Sequence, residues 1–244
     1  MKKRLDQLVI IAHPELSRSQ AQTLIRAGQV FVNEQKAISP SQLASLNSSI
    51  VIKQSLPYVS RGGLKLAHAL QTFQLNPANQ TCLDIGASTG GFTDCLLQNG
   101  AKQIFAIDVG TGQLAAKLLS DPRVISREQT HFLHLDQLPD PKISLITIDV
   151  SFISARKILL HLQQISSHPL TIILLLKPQF ESSPAERKKG VVKDPLVHQR
   201  IIQNFVDFCQ NNHITILNQT TSPIKGPKGN IEFLFHLTLS PLTK

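Results

Sequence analysis

Two apolar runs in this chain carry a carboxylate at or near their ends, Thr81-Cys-Leu-Asp84-Ile85 and Ile104-Phe-Ala-Ile-Asp108. The first continues into a glycine-rich turn, Gly86-x-x-x-Gly90-Gly91, and opens a helix near Phe92. Glycines let a backbone approach a ligand closely, and an acid ending the second strand can accept both hydroxyls of a ribose. The pair marks a nucleoside-containing cofactor at the carboxyl edge of a parallel sheet. A dinucleotide would need G-x-G-x-x-G to seat its pyrophosphate on the helix N-terminus. Here Asp84 stands just before the first glycine, where its charge repels pyrophosphate and suits a cationic, phosphate-free ligand such as S-adenosylmethionine. The plain alternative is an ordinary strand–turn–helix. Asp84, the glycines and Asp108 together favour a cofactor site over it.

If a methyl group leaves a sulfonium, the residues after the fourth strand should reveal the acceptor. Amine methylation commonly uses Asn/Asp-Pro-Pro-Tyr there, whereas this chain has Asp149-Val-Ser-Phe152. Methylation of a pyrimidine C5 usually needs a nucleophilic cysteine, and none of Cys82, Cys95 and Cys209 falls in a strand-end loop. A hydroxyl acceptor remains. A ribose 2′-hydroxyl attacks poorly until its proton is removed, and a lysine can remove it only when neutral. Charged residues stand at suitable element ends: Asp149 after the fourth strand, Lys177 after the fifth, Glu232 at the start of the last, and Lys65 on the helix following Ser60-Arg-Gly-Gly63. Taken alone, Lys177 reads as easily as one half of a surface ion pair.

The elements that must position these groups alternate as α/β units do. Strands are expected at 81–85, 104–108, 124–127, 143–149 and 170–176, with helices at 92–99, 113–120, 155–165 and 195–211. A helix runs from Gly63 through Phe73. Two last β runs, 214–221 and 231–239, suit an antiparallel hairpin at the sheet edge. The basic stretch Ala185-Glu-Arg-Lys-Lys-Gly-Val-Val-Lys193 reads as a solvated loop or as a mobile flap touching substrate phosphates. Residues 1–56 form a unit of their own, with a helix around Leu5, Leu8 and Val9. Ser17 or Ser19 caps a second helix that Gly28 ends, and β pieces follow at Val30–Asn33 and Ile50–Lys53.

At 244 residues with a formal charge of +9, the chain can bury a full α/β core, carry a small extra module, and attract a polyanion, most simply nucleic acid. Three scattered cysteines argue for reduced, buried thiols in a cytoplasmic protein, and no zinc spacing is visible among the nine histidines. Asp6 and Gln7 interrupt the apolar start, so no secretion signal is expected, and the run at Leu170–Leu176 is too short to span a bilayer.

The phrase from Arg18 to Asn33 resembles the alpha-L RNA-binding module of a primary small-subunit ribosomal protein. On its helix Arg18 and Arg26, eight positions apart, can meet successive phosphates. Five further motifs, spread over nearly the whole chain, resemble the TlyA family: Ser60-Arg-Gly-Gly-Leu-Lys65-Leu, Asp84-Ile-Gly-Ala-Ser-Thr-Gly-Gly-Phe-Thr-Asp94, Asp149-Val-Ser-Phe-Ile-Ser154, Lys177-Pro-Gln-Phe-Glu181 and Lys225-Gly-Pro-Lys-Gly-Asn-Ile-Glu232-Phe-Leu. That family comprises ribosomal RNA 2′-O-methyltransferases long labelled hemolysin A, and is related to the FtsJ type.

The resemblance implies an α/β fold, with a Rossmann-like S-adenosylmethionine methyltransferase sheet and an antiparallel last strand over residues 63–244. It implies a linker at 57–62 and a small α+β RNA-binding domain at 1–56. The family's Lys-Asp-Lys-Glu tetrad maps to Lys65, Asp149, Lys177 and Glu232. Lys177 would be the general base, Lys65 would help activate it by like-charge repulsion, and Asp149 and Glu232 would orient the ammonium groups. The expected cofactor-binding set is Asp84, Gly86, Ser88, Gly90, Gly91, Phe92, Asp108 and Val109. The expected RNA contacts are Arg4, Arg18, Arg26 and Arg61. No metal is called for, and the implied partner is ribosomal RNA or a ribosomal subunit. The implied reaction is methylation of a cytidine ribose. Thr111 stands where the family typically has tyrosine, and Glu128-Gln-Thr-His131 lacks the family's Arg and Asn. A methyltransferase fold decayed to an RNA-binding protein is the runner-up, and a membrane-active hemolysin comes last.

Overall fold

The computed structural model describes residues 2–26, 28–52, 57–151, 154–226 and 228–242. Lys53 of the second expected β piece, Phe152 and Ile153 of the Asp149 motif, and Pro227 of the last turn lie outside the described residues. The chain divides into two compact units, Met1–Leu56 and Pro57–Lys244.

In the first unit, helices Leu5–Ala12 and Arg18–Arg26 bury Leu5, Leu8, Val9, Ala21 and Ile25 against Val30 and Val32. Ser17 begins the second helix with a reciprocal cap: Gln20 N donates to Ser17 Oγ at 3.2 Å and Ser17 N to Gln20 Oε1 at 2.8 Å. Gly28, at φ 69, ends it with a bond from its N–H to Ile25 O. Strand Val30–Val32 pairs antiparallel with Gln35–Lys36 and with Ile50–Ile52. A separate pair joins Lys2–Arg4 to Leu43–Ser45. Neither the two-residue strand nor this pair is long enough to show an alternating pattern.

The second unit is built on seven strands: β1 (Thr81–Ile85), β2 (Gln103–Ile107), β3 (Val124–Arg127), β4 (Ile143–Ile148), β5 (Leu170–Leu176), β6 (Ile214–Thr221) and β7 (Phe233–Leu239). Their spatial order is β6-β7-β5-β4-β1-β2-β3, parallel except for β7, which runs antiparallel to both neighbours. Helices α1 (Gly62–Thr72) and α2 (Gly91–Gln98) cover one face, where Leu66, Leu70, Phe92 and Leu96 pack with Cys82 of β1. Helices α3 (Ala155–Ile165) and α4 (Pro195–Asn211) cover the other, where Ile158, Leu162 and Phe205 pack with Leu83 and Ile85. Covered on both faces, β1 is buried at every residue, which is why its sequence shows no alternation. The three cysteines are buried and unbridged.

The last two strands form the expected edge hairpin, with β7 inserted beside β5 and β6 outermost. The helix expected over 113–120 is a single turn, Ala116–Leu119, with the residues before it held by other segments: Gln113 N donates to Glu128 Oε1 at 3.3 Å and Ala115 N to Thr89 O at 3.2 Å. The basic stretch after β5 holds a two-stranded hairpin, Arg187–Lys188 with Val191–Val192. Residues 57–61 are fastened to the second unit: Val59 N donates to Asp94 Oδ2 at 2.7 Å and Gln98 Nε2 to Pro57 O at 2.8 Å.

Candidate active site

In an open parallel sheet, ligands settle beyond the carboxyl ends of the strands where the strand order reverses. Here that point lies at β1, with β2 on one side and β4 on the other. Two adjoining cavities of about 560 and 540 Å³ open there and share Gly86, Ser88, Asp149 and Ser151 in their walls.

The backbone between β1 and α2 is shaped by close approach. Gly86 takes φ 85, and a Cβ on it would lie 2.7 Å from Asp149 O, so the turn rests against the end of β4. A Cβ on Gly91 would lie 2.3 Å from Ser60 Oγ, so the N-termini of α1 and α2 meet there. Asp108 follows β2 directly. Its Oδ2 accepts from Ser88 N at 2.8 Å and its Oδ1 from Gly110 N at 2.7 Å, which fixes the carboxylate and leaves a lone pair on each oxygen. Asp108 lies in the smaller cavity with an apolar lining of Ile85, Ile107, Val109, Val150, Phe132 and Ile158. That combination suits a flat heterocycle with a diol at one end.

The larger cavity holds all four tetrad residues. Lys177 Nζ lies 2.5 Å from Asp149 Oδ1 and donates to Ser151 Oγ at 3.3 Å. Lys65 Nζ lies 2.5 Å from Glu232 Oε2, with the lysine side chain 8% exposed and the glutamate 1%. Gln179 donates to the other glutamate oxygen at 3.2 Å. The arrangement is two lysine–carboxylate pairs, one at the strand ends and one behind it, both opening on one space. Gly86, Ser88, Gly91, Phe92 and Arg61 line that space as well. Gly90 and Phe92 are buried in the turn and in α2, and Val109 is exposed beside Asp108.

Asp84, expected in the cofactor-binding set, sits in β1 behind the cavity walls. It is fully buried and lines neither cavity. Thr93 Oγ1 donates to its Oδ2 at 2.7 Å and Thr147 Oγ1 to its Oδ1 at 2.8 Å, which ties β1 to α2 and β4. Burial pushes its carboxyl up to about 6, the two threonine bonds pulling the other way.

Two of the four expected RNA contacts are drawn together. Arg4 Nε reaches Asp6 Oδ1 at 3.1 Å, Arg18 Nε reaches Asp6 Oδ2 at 3.2 Å, and Gln22 donates to the same oxygen at 2.9 Å. Asp6 is fully buried, and its bond with the Arg4 guanidinium, joined by those from Gln22 and Arg18, holds its carboxyl well below the usual range. Arg26 is exposed at the end of its helix. Arg61 belongs to the second unit and lies on the rim of the larger cavity.

Of the residues that depart from the family pattern, Thr130 and His131 line the smaller cavity. Thr111 accepts from Gln129 Nε2 at 3.1 Å, outside that lining. Sequence reasoning missed Gln113, Ser151, Gln179 and Asn230 in the cavity walls. Gln179 and Asn230 sit inside quoted motifs, two residues from Lys177 and Glu232, and that proximity was the available signal. Among the described residues no helix is long and apolar enough to cross a membrane, and no three metal-ligating side chains cluster.

Comparison with known proteins matches residues 58–239 to the FtsJ-like methyltransferases and residues 3–50 to the S4 domain. The chain is similar to "Putative rRNA methyltransferase YqxC" of Bacillus subtilis (strain 168), with 42% identity covering 97% of this chain and 85% of the relative. It is similar to "16S/23S rRNA (cytidine-2'-O)-methyltransferase TlyA" of Mycobacterium tuberculosis, with 36% identity covering 97% and 90%. A solved structure, "Putative hemolysin from Streptococcus thermophilus", is 39% identical, covers 98% of this chain and 90% of its own, and superposes with a TM-score of 0.73.

Proposed function

The chain belongs to the FtsJ-like methyltransferase family, and from that premise we propose that it methylates the 2′-hydroxyl of a cytidine ribose in ribosomal RNA, using S-adenosylmethionine. The observation that carries this reading is the convergence of Lys65, Asp149, Lys177 and Glu232 on one cavity beside the glycine turn. The ribosomal target is supported by the name of the Mycobacterium tuberculosis relative and by the S4 match.

The smaller cavity fits an adenosine: Asp108 can take the two ribose hydroxyls on its free lone pairs, and the apolar walls can hold the base. When bound, S-adenosylmethionine supplies an electrophilic methyl on a sulfonium, with a neutral thioether as leaving group. Lys177 is the general base. Its Nζ, held by Asp149 and Ser151, takes the proton of the ribose hydroxyl once the amine is neutral. Lys65, fixed by Glu232 and through it by Gln179, contributes a positive charge near the oxygen as it turns anionic. The turn at Gly86 and the end of β4 set the alignment of the two substrates, from which most of the rate comes. In the first unit, Arg4, Arg18 and Arg26 supply cations for RNA phosphates.

A protein reduced to RNA binding would have no use for two buried or half-buried ion pairs at a strand-end cavity. Mapping of 2′-O-methyl sites in ribosomal RNA from cells with and without this gene tests the proposal. A site lost with the gene and restored by the purified protein is expected; identical maps would overturn it.

A further inference from the structure

The hairpin after β5 has a construction that methyl transfer alone does not require. Arg187 stands opposite Val192 and Lys188 opposite Val191, and the turn residues Lys189 and Gly190 take φ 53 and 81. Positive φ at both positions is the two-residue turn that matches strand twist. The hairpin is then pinned from outside. Asn230, 2% exposed, donates to Gly190 O at 3.0 Å and accepts from Val192 N at 2.9 Å, so one buried amide grips the turn and the strand that leaves it. Arg187 ties the base, donating to Ser182 O at 2.9 Å and Ser183 O at 3.2 Å. A segment this short has little core of its own, and these bonds replace one.

The pinned turn forms a wall of the larger cavity. Arg187, Gly190, Lys225, Lys228 and Asn230 line it with Lys177. Gly190 lies against Lys228, whose Nζ would be 3.5 Å from a Cβ at that position. Charge is distributed unevenly between the interior and the rim. Inside, Asp149 and Glu232 are matched by Lys177 and Lys65. At the rim and on the hairpin, Arg61, Lys188, Lys189, Lys225 and Lys228 are exposed, and among the described residues none forms an ion pair with a carboxylate. A balanced interior with a positive rim fits a neutral sugar inside and a phosphate chain passing over the edge.

We infer that the hairpin Arg187–Val192 is a phosphate clamp on the RNA strand flanking the target ribose, with Lys189 and Lys228 as its contacts and Asn230 as the positioning residue that holds it over the cavity. The clamp deepens the methyl-transfer reading and rests on it for the identity of the strand. It accounts for the buried amide that pins the turn and for the lysines beside Gly190.

The test uses the full chain and a fluorescein-labelled cytidine oligoribonucleotide, with binding followed by anisotropy over a series of KCl concentrations. For single-stranded RNA each phosphate contact contributes about 0.7 to the slope of log K against log salt. The double variant Lys189→Ala, Lys228→Ala should flatten the slope by roughly 1.4 and leave S-adenosylmethionine affinity by calorimetry unchanged. A wild-type slope in this surface variant overturns the clamp. Asn230→Ala should free the Val192 amide to exchange with solvent and flatten the slope similarly; a freed amide with a wild-type slope removes Asn230 from the role. Methylation of ribosomal RNA by the unmodified protein is measured separately, so failure of the parent reading is seen independently of the binding slopes.

Discussion

Replacing Asp84 with asparagine removes a charge from the middle of a sheet without changing the shape of the side chain. The carboxyl is fully buried between Thr93 and Thr147, and its pKa is lifted from 3.8 to about 6, mainly by burial. A folded-state value above the unfolded one means the folded protein keeps this proton longer. Between about pH 4 and pH 6 the folded state therefore binds more protons, and stability falls as pH rises through that window. At about 1.4 kcal/mol per unit, ionised Asp84 costs roughly 3 kcal/mol at neutral pH relative to its protonated form. An amide can accept from Thr93 and donate one N–H to the Thr147 hydroxyl, but it carries a second N–H that a protonated carboxyl lacks and that shifts its stability equally at every pH. Against that fixed offset, Asp84→Asn should gain up to about 3 kcal/mol on the wild type as pH rises from about 4 to above 6. Urea unfolding of the full chain from about pH 4 to pH 8, with slopes compared as well as midpoints, measures the difference. Curves that stay parallel across the range would refute the account. Because Asp84 lines neither cavity, S-adenosylmethionine affinity should change less than about tenfold. A loss of several orders of magnitude without any gain in stability would instead restore the role read from its position before Gly86.

Other residues carry sharper functional tests. Lys177→Ala should lower kcat by roughly 10²- to 10⁴-fold, with cofactor and RNA affinities retained; full methyl transfer would remove Lys177 from the mechanism. Glu232→Gln strands Lys65 in a buried site and should cost about 3–5 kcal/mol, read as a lowered unfolding midpoint. The double variant with Lys65→Met should recover most of that stability and none of the activity, and independent, additive losses would show that the pair is not coupled. Arg18→Glu would set a second carboxylate beside buried Asp6, so its effect on RNA binding is mixed with a loss of fold. Arg26→Ala, at an exposed position, is the clean probe and should flatten the salt slope by about one phosphate contact; an unchanged slope assigns that helix end another task.

The long elements were legible in the sequence because each has a local cause, and the four charges were singled out together by resemblance. Strands β1, β4 and β5 are apolar runs bounded by turn residues. Helix α4 begins at Asp194, whose side chain caps Leu196 N at 2.9 Å, and at Pro195 in its first turn. Lys177, Asp149 and Glu232 are charges next to strand ends, and alternation of α and β units already sends strand ends to one edge. In the first unit Val30–Val32 and Ile50–Ile52 were read as β pieces, whereas Lys2–Arg4, Gln35–Lys36 and Leu43–Ser45, like the hairpin at Arg187, were not. Two- and three-residue strands have no period to detect, and what holds them, such as Leu43–Ser45 for Lys2–Arg4 or Asn230 for the hairpin, can come from distant sequence.

From the chain alone came the fold class, the glycine turn after β1, the basic character and the identities of the four charges that line the larger cavity, all of which depend on nearest neighbours in sequence or on resemblance. Which lysine meets which carboxylate came only with tertiary structure, since Lys65 and Glu232 are 167 positions apart and pair at 2.5 Å. The same holds for the burial of Asp84, whose position before a glycine suggested a ligand contact, while α2 packed on β1 and β4 paired beside it enclose the carboxylate. A residue's sequence neighbours set its chemistry and its local path; its burial and its partners depend on segments that come from elsewhere in the chain, and only folding brings them together.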